Sequence, residues 1–217
     1  MKLRRMKIIN NCIYETIISS YGPDKKPNAA PFGVIFKNSK IFHVFLYKGS
    51  ITLSNLVFSK CGVVNITHDI ELFYRTAFED YNDFTVKNPL FQKAEYTNAP
   101  LIVSADFNLE FIVDEIKEEN FKTLMVCRIV KIKKNTNATV QPYTRGFFAA
   151  LESIIHSTRI KYFFKEGNNA EAEKLIRLIG HYREVAKRVS PDSIYVKIIE
   201  KLMKRFNTWR RASASNN

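Results

Sequence analysis

Apolar residues in this chain change their spacing once, and that change limits the folds open to it. Up to about Lys134 they recur at every second position between clusters of Gly, Pro and Asn, which marks strands. After Pro142 they recur every three to four positions, which marks helices. The chain therefore reads as α+β and predominantly β. A sheet-forming domain is expected over 1–140 and a helical extension, packed on it, over 141–217.

The first strand is Ile13 to Ser20, rich in β-branched residues. Tyr21-Gly22-Pro23-Asp24-Lys25-Lys26-Pro27 punctuates it, and the chain returns through Asn28 to Phe36. Pro31 has no amide to donate, so this stretch belongs at a sheet edge or a bulge. Asn38-Ser39 turns the chain into a buried third strand, Ile41 to Tyr47, which completes a meander. A short helix is expected over Thr52–Phe58, with Leu53, Leu56 and Val57 at helical spacing, followed by a strand from Val63 to Thr67. A less regular, aromatic-rich stretch runs from His68 to about Pro100. Two long strands follow, Phe107–Ile116 and Phe121–Lys133. In the latter Leu124, Val126, Val130 and Ile132 share one face, with Arg128 the exception.

Three helices are expected in the last third. The first, from about Arg145 to Phe164, places Phe147, Phe148, Leu151, Ile154 and Ile155 on one stripe. The second begins at Asn168, with Glu171 three residues on in the capping-box pattern. The third opens with Ser190-Pro191, an N-cap followed by a proline whose missing donor costs nothing there, and runs to about Trp209. The residues from Ala212 onward are expected to fray.

Charge and composition narrow the function classes. Of the net charge of +13, Lys2, Arg4, Arg5 and Lys7 carry +4, and the segment from Arg145 carries +8, with 15 Lys and Arg against seven Asp and Glu. An anionic partner is one reading of that excess and a solvated lysine-rich surface the other. No apolar run approaches the roughly 20 residues that span a bilayer. Asn10-Asn11 interrupts the apolar stretch behind the basic N-terminus, so a cytoplasmic protein is expected. Cys12, Cys61 and Cys127 lie in or beside apolar runs and read as structural thiols. His43, His68, His156 and His181 are scattered without zinc-site spacing, so no metal site is expected. His68, Asp69 and Glu71 fit a helix N-terminus as well as they fit a metal. GxSxG, P-loop and GxGxxG motifs are missing, which removes hydrolase and dinucleotide-dehydrogenase readings.

One short segment carries chemistry. Lys48-Gly49-Ser50-Ile51-Thr52 lies between a buried strand and a short helix. A helix N-terminus presents unpaired amides and a positive dipole end, which makes a seat for phosphate. Gly49 lets the backbone approach, Ser50 and Thr52 supply hydroxyls and Lys48 supplies charge. The same residues also make an ordinary cap.

The order of the pieces adds to this. Pro27 to Gly33, then Leu46 to Leu56, then Gly62-Val63-Val64-Asn65-Ile66 resembles the FMN-binding split-barrel flavoproteins, including the flavin-reductase group. Ile13-Tyr14-Glu15-Thr16-Ile17, Asn28 to Val34, Lys48-Gly49-Ser50, Val64-Asn65-Ile66-Thr67, Glu71-Leu72-Phe73, Thr158-Arg159 and His181-Tyr182-Arg183-Glu184 are similar to one branch, the domain of unknown function 447 family of mostly archaeal proteins. That resemblance implies an FMN-binding split β-barrel with a C-terminal three-helix extension, working as a homodimer with FMN near the interface. It implies that Asn28, Ala29, Ala30 and Pro31 line the isoalloxazine ring, that Lys48, Gly49, Ser50 and Thr52 hold the phosphate, and that Asn65 meets the ring edge. His156 and Arg159 then either complete the pocket or cap and solvate a packing helix. The family commonly has Arg at the position of Ile51. Without that bidentate contact, Lys48 or a basic residue of the helical extension takes its place.

The leading expectation is a redox flavoprotein of flavin-reductase-like type, in which FMN carries the electron chemistry and no acid–base pair is needed. A flavin or related phosphate held without turnover is a further reading. A basic nucleic-acid-binding module, built on Lys201, Lys204, Arg205, Arg210 and Arg211, stands second because no nucleic-acid motif accompanies the charge.

Overall fold

The computed structural model describes residues 8–78, 90–135 and 140–214. The basic segment Lys2 to Lys7, part of the aromatic-rich stretch after His68 and the last three residues lie outside them. The chain divides into two compact units, Met1–Tyr143 and Thr144–Asn217.

Among the described residues the first unit contains eight strands and two helices: β1 Ile13–Tyr21, β2 Pro27–Phe36, β3 Ile41–Tyr47, α1 Ile51–Ser59, β4 Cys61–Ile66, α2 Ile70–Ala77, β5 Phe91–Lys93, β6 Pro100–Ile102, β7 Phe107–Glu118 and β8 Lys122–Lys134. Six strands close an antiparallel barrel in the order β1-β2-β3-β8-β7-β4, and β5 pairs with β6 separately. Even-numbered positions of β1 to β3 face inward because side chains alternate across a strand. Tyr14, Ile18, Val34, Phe36, Phe42, Val44 and Leu46 are all fully buried and meet Leu109, Phe111, Met125 and Cys127 from β7 and β8. Phe42 and Phe111 pack edge to face at 5.1 Å between ring centres.

The barrel closes on a seam only three residue pairs long, Ile17–Asn65, Ile18–Val64 and Ser19–Val63. Side chains reinforce it. The Asn65 amide donates to the Ile17 carbonyl at 3.0 Å and to Ser19 Oγ at 2.9 Å. Its oxygen accepts from the Ile102 amide and from Asn108 Nδ2, each at 2.9 Å.

Most of the apolar row read on the last strand faces outward. Thr123, Met125, Cys127 and Ile129 are inward residues of β8, whereas Leu124 and Val126 are half-buried and Val130 is exposed on the outer wall. Beyond the register shift Ile132 pairs with Leu109 and packs against the barrel core. Both faces of β8 carry apolar side chains, so its alternation does not identify the inner one. Arg128 stands outward in a two-bond pair with Asp114, at 2.9 and 3.0 Å, which holds the guanidinium charged. All three cysteines are free thiols and buried, and burial pushes the Cys127 thiol far above its ordinary range.

The second unit is α3 Arg145–Lys165, α4 Asn169–Val189 and α5 Ile194–Ala214. Asn168 caps α4, accepting from the Glu171 amide. Ser190 does not open α5. It ends α4, its amide donating to the Ala186 carbonyl, and Asp192 takes a left-handed φ of 60° in the turn that follows. Ser193 then accepts from the Val196 amide, so the last helix starts at Ile194 and continues to Ala214. The core of this unit is built from Ala149, Ala150, Ile160, Phe164, Ile176, Ile179, Ile199 and Phe206. Of the stripe Phe147, Phe148, Leu151, Ile154 and Ile155, Phe147 meets the core edge to face at Tyr195, and all five stay 40–45% exposed. Among the described residues no helix is long and apolar enough to cross a membrane.

Candidate functional site

The link from β3 to α1 forms a tight turn. The Ser50 amide donates to the Tyr47 carbonyl at 3.2 Å, with Gly49 at φ +85°, a conformation that favours glycine. A Cβ at Gly49 would meet nothing within 4 Å, so the backbone there borders open space. Ser50 caps α1, its Oγ accepting from the Leu53 amide at 3.3 Å. The amides of Ile51 and Thr52 make no hydrogen bond among the described residues. These are orphan donors at the positive end of a nine-residue helix whose first turn holds no acidic residue.

Two side-chain bonds fasten this helix to the barrel. Asn28 Nδ2 donates to Thr52 Oγ1 at 3.0 Å, and Asn55 Nδ2 donates to Ser20 Oγ at 3.2 Å. Thr52 and Asn55 are three apart and so lie on one helix face. Ser20 and Asn28 are cross-strand partners in β1 and β2, so the two bonds grip adjacent points. Between the head of α1 and the β1–β2 turn opens a cleft of about 600 Å³. Gly22, Pro23, Asp24, Lys26, Pro27 and Asn28 line one side, and Ile51 and Asn55 line the other.

The structure brings some of the expected residues together and sends others elsewhere. Asn28 lines the cleft, and Gly49 and Ser50 form the turn at the head of α1. Ala30 and Pro31 continue along β2, half-buried. The Ala29 side chain is fully buried in a separate cluster with Ile17, Leu72 and Ile102, under α2 and β6. Thr52 turns inward to Asn28 and is almost fully buried, so its amide rather than its hydroxyl faces the helix end. Lys48 is exposed and pairs with Glu118 at 3.6 Å. Asn65 is fully buried and both its polar atoms are engaged within the barrel, so its side chain has nothing left over for a ligand. His156 and Arg159 belong to the helical unit. His156 lies 3.6 Å from Glu152 and stacks against Tyr182, and Arg159 is exposed.

Lys26, Asp24 and Asn55 line the cleft without having been singled out in the sequence. Asn55 carried a usable signal, since it is a polar residue three positions after Thr52 on a helix whose other inward residues, Leu53 and Leu56, are apolar. Elsewhere, His68 bonds to Asp106 and to the Gln141 carbonyl, and Asp69 caps α2. This accounts for the His68, Asp69 and Glu71 group as a helix head. Arg210 is clamped by Glu173 at 2.6 and 2.8 Å, which takes it out of the C-terminal basic cluster.

Residues 14–136 match the sequence model of a family described as protein of unknown function (DUF447), N-terminal domain. The chain belongs to this family. An FMN-bound protein of the same family from Methanosarcina mazei shares 26% identity with it, over 94% of this chain and 99% of that one, at a TM-score of 0.53. Flavoredoxin from Methanosarcina acetivorans shares the fold at 19% identity, over 64% of this chain and 80% of that one, with a TM-score of 0.50. The barrel is thus of the FMN-binding split-barrel class.

Proposed function

We propose that the cleft at the head of α1 holds FMN, and that the protein is a redox flavoprotein of flavin-reductase-like type. In this reading it works as a homodimer with the cofactor near the interface. The observation that carries it is the pair of partnerless amides at Ile51 and Thr52, set at the rim of a cleft of about 600 Å³. That volume suits a mononucleotide-sized ligand. Open space at Gly49 allows a phosphate close to the backbone. The two amides and the Ser50 hydroxyl would hold the phosphate, and Asn28, Ala30 and the β2 backbone would flank the ring. When bound, FMN supplies one- and two-electron transfer. The chain's own residues position it and keep water from it.

Titration of the flavin-free protein with FMN, followed by quenching of flavin fluorescence, tests this directly. Saturable uptake is expected, and Ser50→Ala combined with Thr52→Ala should raise the Kd roughly tenfold or more. The pair removes one phosphate donor and the Asn28 tether, and a tenfold change needs only about 1.4 kcal/mol. Protein that takes up no FMN at millimolar concentration rules the reading out.

Lys26 supplies the charge that Ile51 does not. Each lysine lies 3.6 Å from a carboxylate, Lys26 from Asp24 and Lys48 from Glu118, but Lys26 lines the same cleft as Ile51 and Lys48 does not. Lys26→Met should leave riboflavin affinity unchanged and weaken FMN about three- to tenfold, since only FMN carries the phosphate. An equal change for both flavins would remove Lys26 from this role.

A further inference from the structure

The most conspicuous unassigned surface is the outer face of α3. In the helical unit, α3 turns its small residues inward, packing Gly146, Ala149, Ala150, Ser153 and Ser157. Ile160 and Phe164 join them near its C-terminal end, but most of its other large apolar side chains are exposed. Phe147, Phe148, Leu151, Ile154 and Ile155 are 40–45% exposed and Tyr162 is 59% exposed. A helix normally buries its large side chains and shows its small ones, so this face calls for a cover.

The spacing identifies the kind of cover. Phe148, Leu151, Ile155, Thr158 and Tyr162 alternate steps of three and four, the a and d positions of a heptad repeat. Along one edge of that seam, at strict seven-residue intervals, lie Arg145, Glu152, Arg159 and Glu166. Their signs alternate, and this decides orientation and register. In an antiparallel helix pair, residues at this edge position face the same position of the other helix. One register sets Arg145 against Glu166 and Glu152 against Arg159, giving four opposite-charge pairs across a two-fold axis. Sliding by one heptad either way sets Arg against Arg and Glu against Glu. A stripe whose edge charges complement themselves fits a second copy of this chain better than any unrelated partner.

We infer that α3 is a homotypic docking face, on which two copies of this chain pair antiparallel through the Phe148–Tyr162 stripe, with Glu152 of each copy opposite Arg159 of the other. The helix offers about 30 Å of length to such a seam. This goes beyond the flavin reading and does not depend on it.

Sedimentation of the full-length protein tests the pairing, with folding checked by circular dichroism. The wild-type chain should associate through α3 in addition to any dimer at the flavin cleft, and Ile155→Glu should remove that α3-dependent step. Glu152→Arg alone and Arg159→Glu alone should each weaken it roughly tenfold or more, because each converts two attractive pairs into repulsive ones. The double variant, and an equimolar mixture of the two single variants, should both associate again. A monomeric wild-type chain overturns the inference, as does an association that the single substitutions leave unchanged. FMN uptake, read separately on the same samples, keeps failure of the pairing distinct from failure of the flavin site.

Discussion

Replacing Asn65 with leucine is expected to lower the stability of the barrel unit by about 3–5 kcal/mol, out of a total of roughly 5–15 for a domain. Leucine keeps the branched heavy-atom skeleton but is larger, so the loss would come from broken bonds and crowding rather than from a cavity. The Ile102 amide loses the acceptor it has at 2.9 Å, and the Ile17 carbonyl loses the amide at 3.0 Å. Ile17 keeps its ladder pairing with residue 65, so the group left without a partner is the Ile102 amide. A buried group so left costs about 1–3 kcal/mol, to which crowding by the larger side chain adds. Ser19 retains its bond to the Pro100 carbonyl, and Asn108 Nδ2 retains the Ile102 carbonyl, so neither is orphaned outright. Denaturant unfolding of the variant measures the difference. A loss below about 1 kcal/mol would mean that the seam draws little from this residue.

The second large effect is expected at Glu110, a carboxylate buried in β7. It accepts from the amides of Glu95, Tyr96 and Thr97 at 3.2, 2.7 and 2.8 Å, and from the Thr97 hydroxyl at 3.1 Å. These donors belong to the tight link between β5 and β6, so one side chain folds the whole turn around itself. Glu110→Ala should cost about 2–4 kcal/mol and speed hydrogen exchange at Tyr96 and Thr97. Glu110→Gln should cost less than half of that. Its carbonyl oxygen can still accept from Tyr96 and Thr97, and only the Glu95 contact turns unfavourable. Equal losses in the two variants would indicate that charge, rather than acceptor geometry, holds the turn.

The sequence made local structure legible and left long-range packing hidden. β3 spans the residues its alternation marks, and α1 extends the expected segment by one residue at each end, because caps and turns are written in neighbouring residues. The turn at the head of α1 was readable for the same reason. The rest of the cleft was not. It is made where residues 22–28 face residues 51–55, and no periodicity in either stretch shows that they meet. Asn65 misled because every residue of β4 is buried, so its polar position could equally face a ligand or other strands. Ala29 was hidden by α2 and β6, whose cover over β1 and β2 carries no pattern within β2. On α3 the stripe itself was plain. Its direction was not, because the small residues that bind α4 and α5 leave no hydrophobic signal.

The shortness of the β1–β4 joint bears on how the barrel assembles. The β1–β2–β3 meander and the β7–β8 hairpin each link strands adjacent in sequence and form at small entropic cost. They join through β3 and β8 over seven residue pairs, a broad glued surface. The three-pair joint has less than half as many pairs to hold it, so it acts as a latch, the first to spring. Because Ser20, just past the latch on β1, also anchors Asn55, a ligand seated at the head of α1 would lock from outside what the barrel fastens only lightly from within.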